Sequence, residues 1–328
     1  MPEKFIVTGG AGFIGANIVR TLNARGCEDV LVADRLDCEA KRRNLEELRF
    51  RDYLDKDDFR KAFRSDTIDP VSTVFHMGAC SSTTETDESY LTDNNFLYTR
   101  ELCEWCLKHG IRFIYASSAA TYGDGSLGYS DSDEITPRLQ PLNLYGRSKQ
   151  MFDLWALERG ILDRVVGLKY FNVYGPREDH KGDMRSVVSK AYDQVMDTGE
   201  IRLFKSYHPQ YADGEQERDF VYVADAVAVT LFFHDRPEVS GLFNCGTGRA
   251  RTWLDLAHAV FAAMNRSPRI RMIEMPAAIR DRYQYHTRAD MTKLRGAGYE
   301  EPFTAIEDGV RQYIRTYLAR CEPAGNAK

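Results

Sequence analysis

Tyr145 and Lys149 stand four residues apart, a spacing that on a helix projects both side chains from one face. A phenol titrates at about pH 10 unaided and is a poor base at neutral pH. A neighbouring ammonium favours the phenolate and draws that value toward the working range. Upstream lies the pair Ser117-Ser118, and a hydroxyl from Ser118 can hydrogen-bond the same substrate oxygen. Tyrosine, lysine and serine together suit the removal of a proton from an alcohol while its carbon is oxidised. Taken alone, Y-x-x-x-K reads as an ordinary exposed helix pair; the elements around it weigh against that reading.

An oxidation needs an acceptor, and the N-terminal segment is shaped for one. Phe5-Ile6-Val7 reads as a buried strand leading into Thr8-Gly9-Gly10-Ala11-Gly12-Phe13-Ile14-Gly15 and a helical stretch through Leu22. Gly10, Gly12 and Gly15 satisfy G-x-G-x-x-G between strand and helix, the setting in which it binds a dinucleotide pyrophosphate. A second strand, Val30-Leu31-Val32-Ala33, ends at Asp34, about 20 residues on, where the ribose partner is expected. Arg35 follows at once, with Lys41, Arg42 and Arg43 close behind. Cations beside the ribose acid suit a 2′-phosphate, so the expected cofactor is NADP rather than NAD.

Composition bounds the rest. A chain of 328 residues that is 43% hydrophobic can bury a large core in one large domain or two joined ones. The net charge of −5, with both signs interspersed, gives no sign of a nucleic-acid or membrane partner. No apolar run approaches the roughly 18–20 residues that span a bilayer, and the first one is too short for a signal peptide. A cytoplasmic enzyme is the expectation. The seven cysteines follow no disulfide framework. Cys103-x-x-Cys106 lies in a helical pattern and reads as packing, and the histidines show no ligand spacing, so no metal is expected.

Strand and helix signals alternate up to about residue 170, implying an α/β fold with a doubly wound parallel sheet of Rossmann type. Thr73–His76, Arg112–Ala116 and Val165–Tyr170 are further strands, and every motif so far sits at a strand's C-terminal end. Beyond Asn172 the pattern loosens toward a smaller mixed α/β half. Residues 205–218 read as a substrate loop, and 219–223 and 241–246 as a return to the sheet. The division expected is therefore 1–171 with 219–247 for the cofactor, 172–218 with 248–320 for the substrate, and a tail at 321–328. Ile306, Val310, Tyr313, Ile314, Tyr317 and Leu318 mark the packing face of a C-terminal helix.

The glycine segment, Ser117-Ser118-Ala119, Tyr145-x-x-x-Lys149 and Tyr170-Phe171-Asn172-Val173-Tyr174-Gly175-Pro176 resemble, in order, the extended short-chain dehydrogenase/reductase family. Its members act on nucleotide-activated sugars. Ser118-Ala119-Ala120 brings no carboxylate where the dehydratases of the family carry their acid, which leaves epimerisation. The runs His76–Glu85, Asp93-Asn94-Asn95, Ala116–Gly123, Gly175–Met184 and Arg218–Val223 look like those of the members that invert C6″ of an ADP-linked manno-heptose, a precursor of the lipopolysaccharide inner core.

That resemblance implies transient oxidation by one tightly held NADP per subunit, rotation of the ketone, and re-reduction on its opposite face. It implies Tyr145 and Lys181 as the two proton handlers, with Lys149 on the nicotinamide ribose and Ser118 on the hydroxyl. Gly9, Gly12, Phe13, Ile14, Gly15, Asp34, Arg35, Lys41, Lys56, Met77, Gly78, Ala79, Cys80, Ser81, Asn94, Lys149, Val173 and Lys181 should line the cofactor. Asn172, Asp183, Lys190, Phe204, Lys205, Ser206, Tyr207, Arg218 and Tyr283 should face the nucleotide sugar, with Arg280 and Arg282 as further charges nearby. The chain departs from the pattern at Asp183, Lys190 and Lys205, and is longer between Ser206 and Arg218. A homo-oligomer is expected from the family. The alternatives are a UDP-hexose 4-epimerase of the same fold and a non-catalytic NADP-binding sensor, and Fold alone would not separate these.

Overall fold

The computed structural model describes residues 3–280 and 283–320. The expected tail at 321–328 and Arg282 lie outside the described residues. The first part runs β1 (Phe5–Thr8), α1 (Phe13–Ala24), β2 (Val30–Asp34), α2 (Glu39–Leu45), β3 (Asp52–Asp55), α3 (Lys56–Arg64), β4 (Thr73–His76), α4 (Glu88–Leu91), α5 (Tyr98–Lys108), β5 (Arg112–Ser118), α6 (Leu144–Glu158) and β6 (Val165–Tyr170). The second runs β7 (Asn172–Tyr174), α7 (Val187–Thr198), β8 (Ile201–Phe204), β9 (Glu217–Tyr222), α8 (Val223–Asp235), β10 (Gly241–Cys245), β11 (Ala250–Thr252), α9 (Trp253–Ala263), β12 (Ile270–Ile273), α10 (Ala277–Arg280), α11 (Thr292–Gly296) and α12 (Ile306–Thr316).

Seven strands form one parallel sheet in the order β10-β6-β5-β4-β1-β2-β3. The strands β1, β2, β4 and β6 are buried along their whole length, as a parallel sheet covered on both faces requires. One apolar cluster takes Val7, Val32 and Phe75 on one face with α1, and another takes Ile6, Leu31, Val74 and Phe113 on the other with α3 and α5. Cys103 and Cys106 are fully buried in that second cluster, where burial pushes both thiols up. The strand order turns back between β1 and β4, which opens a crevice at their C-terminal ends.

The two smaller sheets, β11-β9-β7 and β12-β8, build the second half. Here the structure corrects the sequence reading. Gly241–Cys245 does return to the large sheet, pairing with β6, but 219–223 does not: β9 runs antiparallel to β11 and parallel to β7. The buried Asp219 carboxylate accepts backbone N–H groups from Thr247, Gly248 and Ala289, tying β9 to the loop beyond β10 and to the segment before α11. Ile306, Val310, Tyr313, Ile314 and Leu318 are buried as a packing face on and just after α12.

Candidate active site

The loops leaving β1 and β4 meet at the crevice. Gly9 takes a φ of +65°, and a Cβ there would lie 2.7 Å from the Gly78 nitrogen. At Gly15 a Cβ would stand 2.1 Å from the Gly9 carbonyl oxygen, so only glycine lets α1 start this close to the turn. Gly10 instead faces the Val32 side chain and packs the turn on β2, while Gly9, Gly12 and Gly15 line the cavity with Phe13 and Ile14. The glycines on the cavity are thus 9, 12 and 15, as the resemblance implied, while Gly10 of the G-x-G-x-x-G pattern faces β2. No side chain caps the start of α1, which leaves its first N–H groups and the positive helix end for an anion.

At the far end of the crevice Asp34 ends β2. Its carboxylate accepts from the Ala11 and Arg35 backbone N–H groups at 3.0 and 2.7 Å and from the Lys41 ammonium at 3.1 Å. The Arg35 guanidinium is over half exposed and pairs with Asp37. Lys56 bonds Asn94 at 2.8 Å, and both line an adjoining pocket of about 170 Å³ with Asp34, Arg35, Lys41, Gly78, Ala79 and Cys80. A wide π-helical turn, Thr92–Leu97, places Asn94 there, a distortion that recurs at functional sites. Its neighbour Asn95 bonds both backbone groups of Cys80 and reaches the Ser148 hydroxyl, fixing the β4 loop to α6.

The larger cavity, about 580 Å³, is lined by Met77–Ser81, Ser117, Ser118, Tyr145, Lys149, Asn172, Val173, His180 and Lys181 together with the glycine turn. Ser118 ends β5, and its hydroxyl accepts the Ala120 N–H at 3.1 Å. Asn143 caps α6 and so sets Tyr145 in its first turn and Lys149 one turn on. Burial is the dominant effect on both. It pushes the Tyr145 phenol up, the Ser118 hydroxyl working the other way. It pushes Lys149 down to about 8, with Asp153 and Cys80 opposing. Burial keeps the phenol high in the protein alone, and the positive nicotinamide of an oxidised cofactor would add a second charge, beside Lys149, that favours the phenolate.

Lys181 approaches from a different element, the short turn Asp179–Met184 that follows β7. Glu178 organises this turn: fully buried, it accepts from the Ser186 backbone and hydroxyl and from the Tyr313 hydroxyl. Burial pushes the Lys181 ammonium down, Glu178 pulls it up, and Lys190 adds a like charge that lowers it further.

The expected substrate residues fall into two further groups beside the cavity. Arg218, buried, lays its guanidinium over the rings of Trp253 and Tyr283 at 5.5 and 5.1 Å. Lys205 and Tyr207 both contact Glu274, Arg280 lies 3.9 Å above the Tyr207 ring, and the Phe204 carbonyl and Ser206 backbone hold Gln216 and Asp213. Asp183 is exposed on the turn. Of the expected substrate residues, Asn172 lines the larger cavity and these do not, although Trp253 lines it and donates to the Tyr283 hydroxyl at 2.8 Å. The sequence reading missed Trp253, Phe220 and His180, all on the cavity wall. Adjacency to Lys181 was the available signal for His180, and the run Arg218–Val223 was the one for Phe220; Trp253 carries none.

A glycine cradle that any Cβ would obstruct, an uncapped helix start and a continuous pair of pockets fit a nicotinamide dinucleotide. Residues 5–246 match the model of the NAD dependent epimerase/dehydratase family. The chain belongs to that family. It is 55% identical over 320 residues to an ADP-L-glycero-D-manno-heptose-6-epimerase of Nitratidesulfovibrio vulgaris, covering 97% of this chain and 99% of that one. A protein of the same name from Fusobacterium nucleatum is 45% identical, with 96% and 98% covered. The crystal structure of the Helicobacter pylori ADP-L-glycero-D-manno-heptose-6-epimerase superposes with a TM-score of 0.78 at 26% identity, covering 97% of this chain and 96% of that one. Thermus thermophilus UDP-glucose 4-epimerase, solved with NAD, gives 0.75 at 28% identity, covering 95% and 98%.

Proposed function

We propose that this protein interconverts ADP-D-glycero-β-D-manno-heptose and ADP-L-glycero-β-D-manno-heptose by inverting C6″, with NADP as its resident cofactor. The observation that carries the proposal is that Tyr145 and Lys181 open on one cavity from separate elements. A carbon reduced on either of two faces needs a proton handled on each side, and two bases on one wall would serve one face only. The names of the relatives at 45–55% identity over nearly their whole length support the choice of substrate. A UDP-hexose 4-epimerase reading leaves Lys181 without a task.

Bound NADP supplies the acceptor for a hydride from C6″ and, once reduced, the donor to the opposite face. The chain's own residues handle the proton and the geometry. Tyr145, with Ser118 bonding the same oxygen, removes or returns the hydroxyl proton in one configuration, and Lys181 does so in the other. To accept a proton Lys181 must be neutral, which burial and Lys190 favour. Lys149 holds the nicotinamide ribose, and its charge adds to that of the cofactor in favouring the Tyr145 phenolate. Arg218 offers a fork for pyrophosphate. Preference for NADP rests on Asp34, whose oxygens are already engaged by the chain, and on Arg35 and Lys41 beside it. The reading carries with it a cytosolic homo-oligomer making a soluble lipopolysaccharide precursor. Among the described residues no helix is long and apolar enough to cross a membrane.

The test is a substrate panel. ADP-D-glycero-β-D-manno-heptose should be epimerised by the purified protein without added cofactor, and UDP-glucose and UDP-galactose left unchanged. The reverse pattern would overturn the substrate assignment.

A further inference from the structure

Behind the catalytic pair lies a charge cluster that the mechanism above does not use. Tyr145, Lys149 and Asp153 follow one another at helical spacing of four along α6, so all three lie on one face. Asp153 is fully buried. Its carboxylate accepts from the Tyr115 hydroxyl at 2.9 Å, the Ser117 hydroxyl at 2.7 Å and the Lys169 ammonium at 2.6 Å. Lys169 on β6 is itself fully buried and donates to the Thr121 hydroxyl at 2.9 Å. A buried ion pair of this kind stabilises a fold little more than apolar residues of the same volume would. Its place directly under the site calls for another use.

We propose that Asp153 is a positioning residue for the catalytic set: it supplies the negative charge that faces the Lys149 ammonium and anchors the end of β5 from which Ser118 projects. The second half of that role is geometric. Ser117 stands next to Ser118, and its bond to Asp153 fastens the end of β5 to the helix that carries Tyr145 and Lys149. Lys169 and Tyr115 hold the carboxylate from β6 and β5, so its position is set independently of Lys149.

The first half is electrostatic. The titratable groups around Lys149 are Tyr145 and Asp153 on its own helix, His76 from β4, and Cys80 from the loop after β4. Lys169 and Tyr115 stand on the far side of Asp153. His76 is kept neutral by burial, with Lys149 adding to the effect. Asp153 heads the groups that favour a charged Lys149 against burial. Without it the ammonium, and with it the charge presented to the nicotinamide ribose and to Tyr145, would be lost at lower pH.

The experiment compares Asp153→Asn with the paired Asp153→Asn/Lys169→Met, which also removes the Lys169 ammonium that the single variant would leave without its carboxylate and keeps the idea testable if the single variant does not fold. Lys149 is followed by NMR in protein carrying ¹³C at the lysine Cε, its signal assigned with Lys149→Met. In a foldable variant the Lys149 midpoint should fall by about half a pH unit or more, and the basic limb of epimerase activity should fall with it. An unchanged midpoint and an unchanged pH profile, with only a lower melting temperature, would reduce Asp153 to a structural role and overturn the proposal. The proposal rests on the epimerase reading, but the NMR midpoint needs no substrate, so failure of the heptose assignment would show separately.

Discussion

The Lys181 ammonium stands 5.2 Å from the centre of the Phe13 ring. Phe13 is the first residue of α1, at the uncapped helix start, so the second proposed base rests on the cofactor loop itself. Its place depends on two elements far apart in the chain, and the turn that carries it is held by the buried Glu178.

Replacing Lys181 with alanine should remove one proton handler from the wall it shares with the glycine turn. The expected loss in kcat, counted per bound cofactor, is about 10²- to 10⁴-fold, the usual reach of general acid–base catalysis. An enzyme relying on Tyr145 alone would tolerate the change.

The buried Lys149 trades stability for charge. Burial holds it at about 8 against an ordinary 10.5. Between those values the unfolded chain binds more protons than the folded one, so stability rises with pH through that window. Below pH 8 the penalty is fully present, on the order of 3 kcal/mol. Lys149→Met should raise the melting temperature at pH 7 while abolishing activity, and the gain should shrink as pH climbs from 8 toward 10.5. A gain independent of pH would contradict this.

Gly15→Ala sets a methyl against the Gly9 carbonyl oxygen at 2.1 Å, and backbone on both sides must shift. Overpacking of this kind costs about 1–3 kcal/mol. The variant should melt earlier and be purified with little or no bound dinucleotide, read by absorbance after denaturation. Gly26→Ala adds its carbon where nothing lies within 4 Å but at a φ of +82° that strains an L side chain, so it should also melt earlier yet retain its cofactor.

Lys41→Ala and Arg35→Ala test the choice between NADP and NAD. Each charged hydrogen bond to a 2′-phosphate contributes about 1.5–3 kcal/mol, so NADP affinity should fall roughly 10- to 100-fold with little change for NAD. Equal losses for both cofactors would remove the basis for NADP.

The parallel strands were legible because a sheet buried on both faces writes itself as unbroken apolar runs, as in Phe5–Val7 and Val30–Ala33. The glycine turn and the Tyr145–Lys149 pair were legible because backbone sterics and helical spacing restrict where such residues are useful. Strands of three residues, β7 and β11, carry no periodicity. The fate of 219–223 turned on hydrogen bonds that Asp219 makes to residues 28 to 70 positions away. Asp153 was not legible in the sequence, since its partners come from β5 and β6 and only the folded chain brings them together.

The most direct test of epimerisation by transient oxidation uses ADP-D-glycero-β-D-manno-heptose carrying deuterium at C6″, incubated with the purified protein in ordinary water and followed by proton NMR. A mixture of both C6″ epimers with the deuterium still on that carbon is the predicted result. Inversion with loss of deuterium to solvent would mean that C6″ is deprotonated rather than oxidised, and would contradict the account.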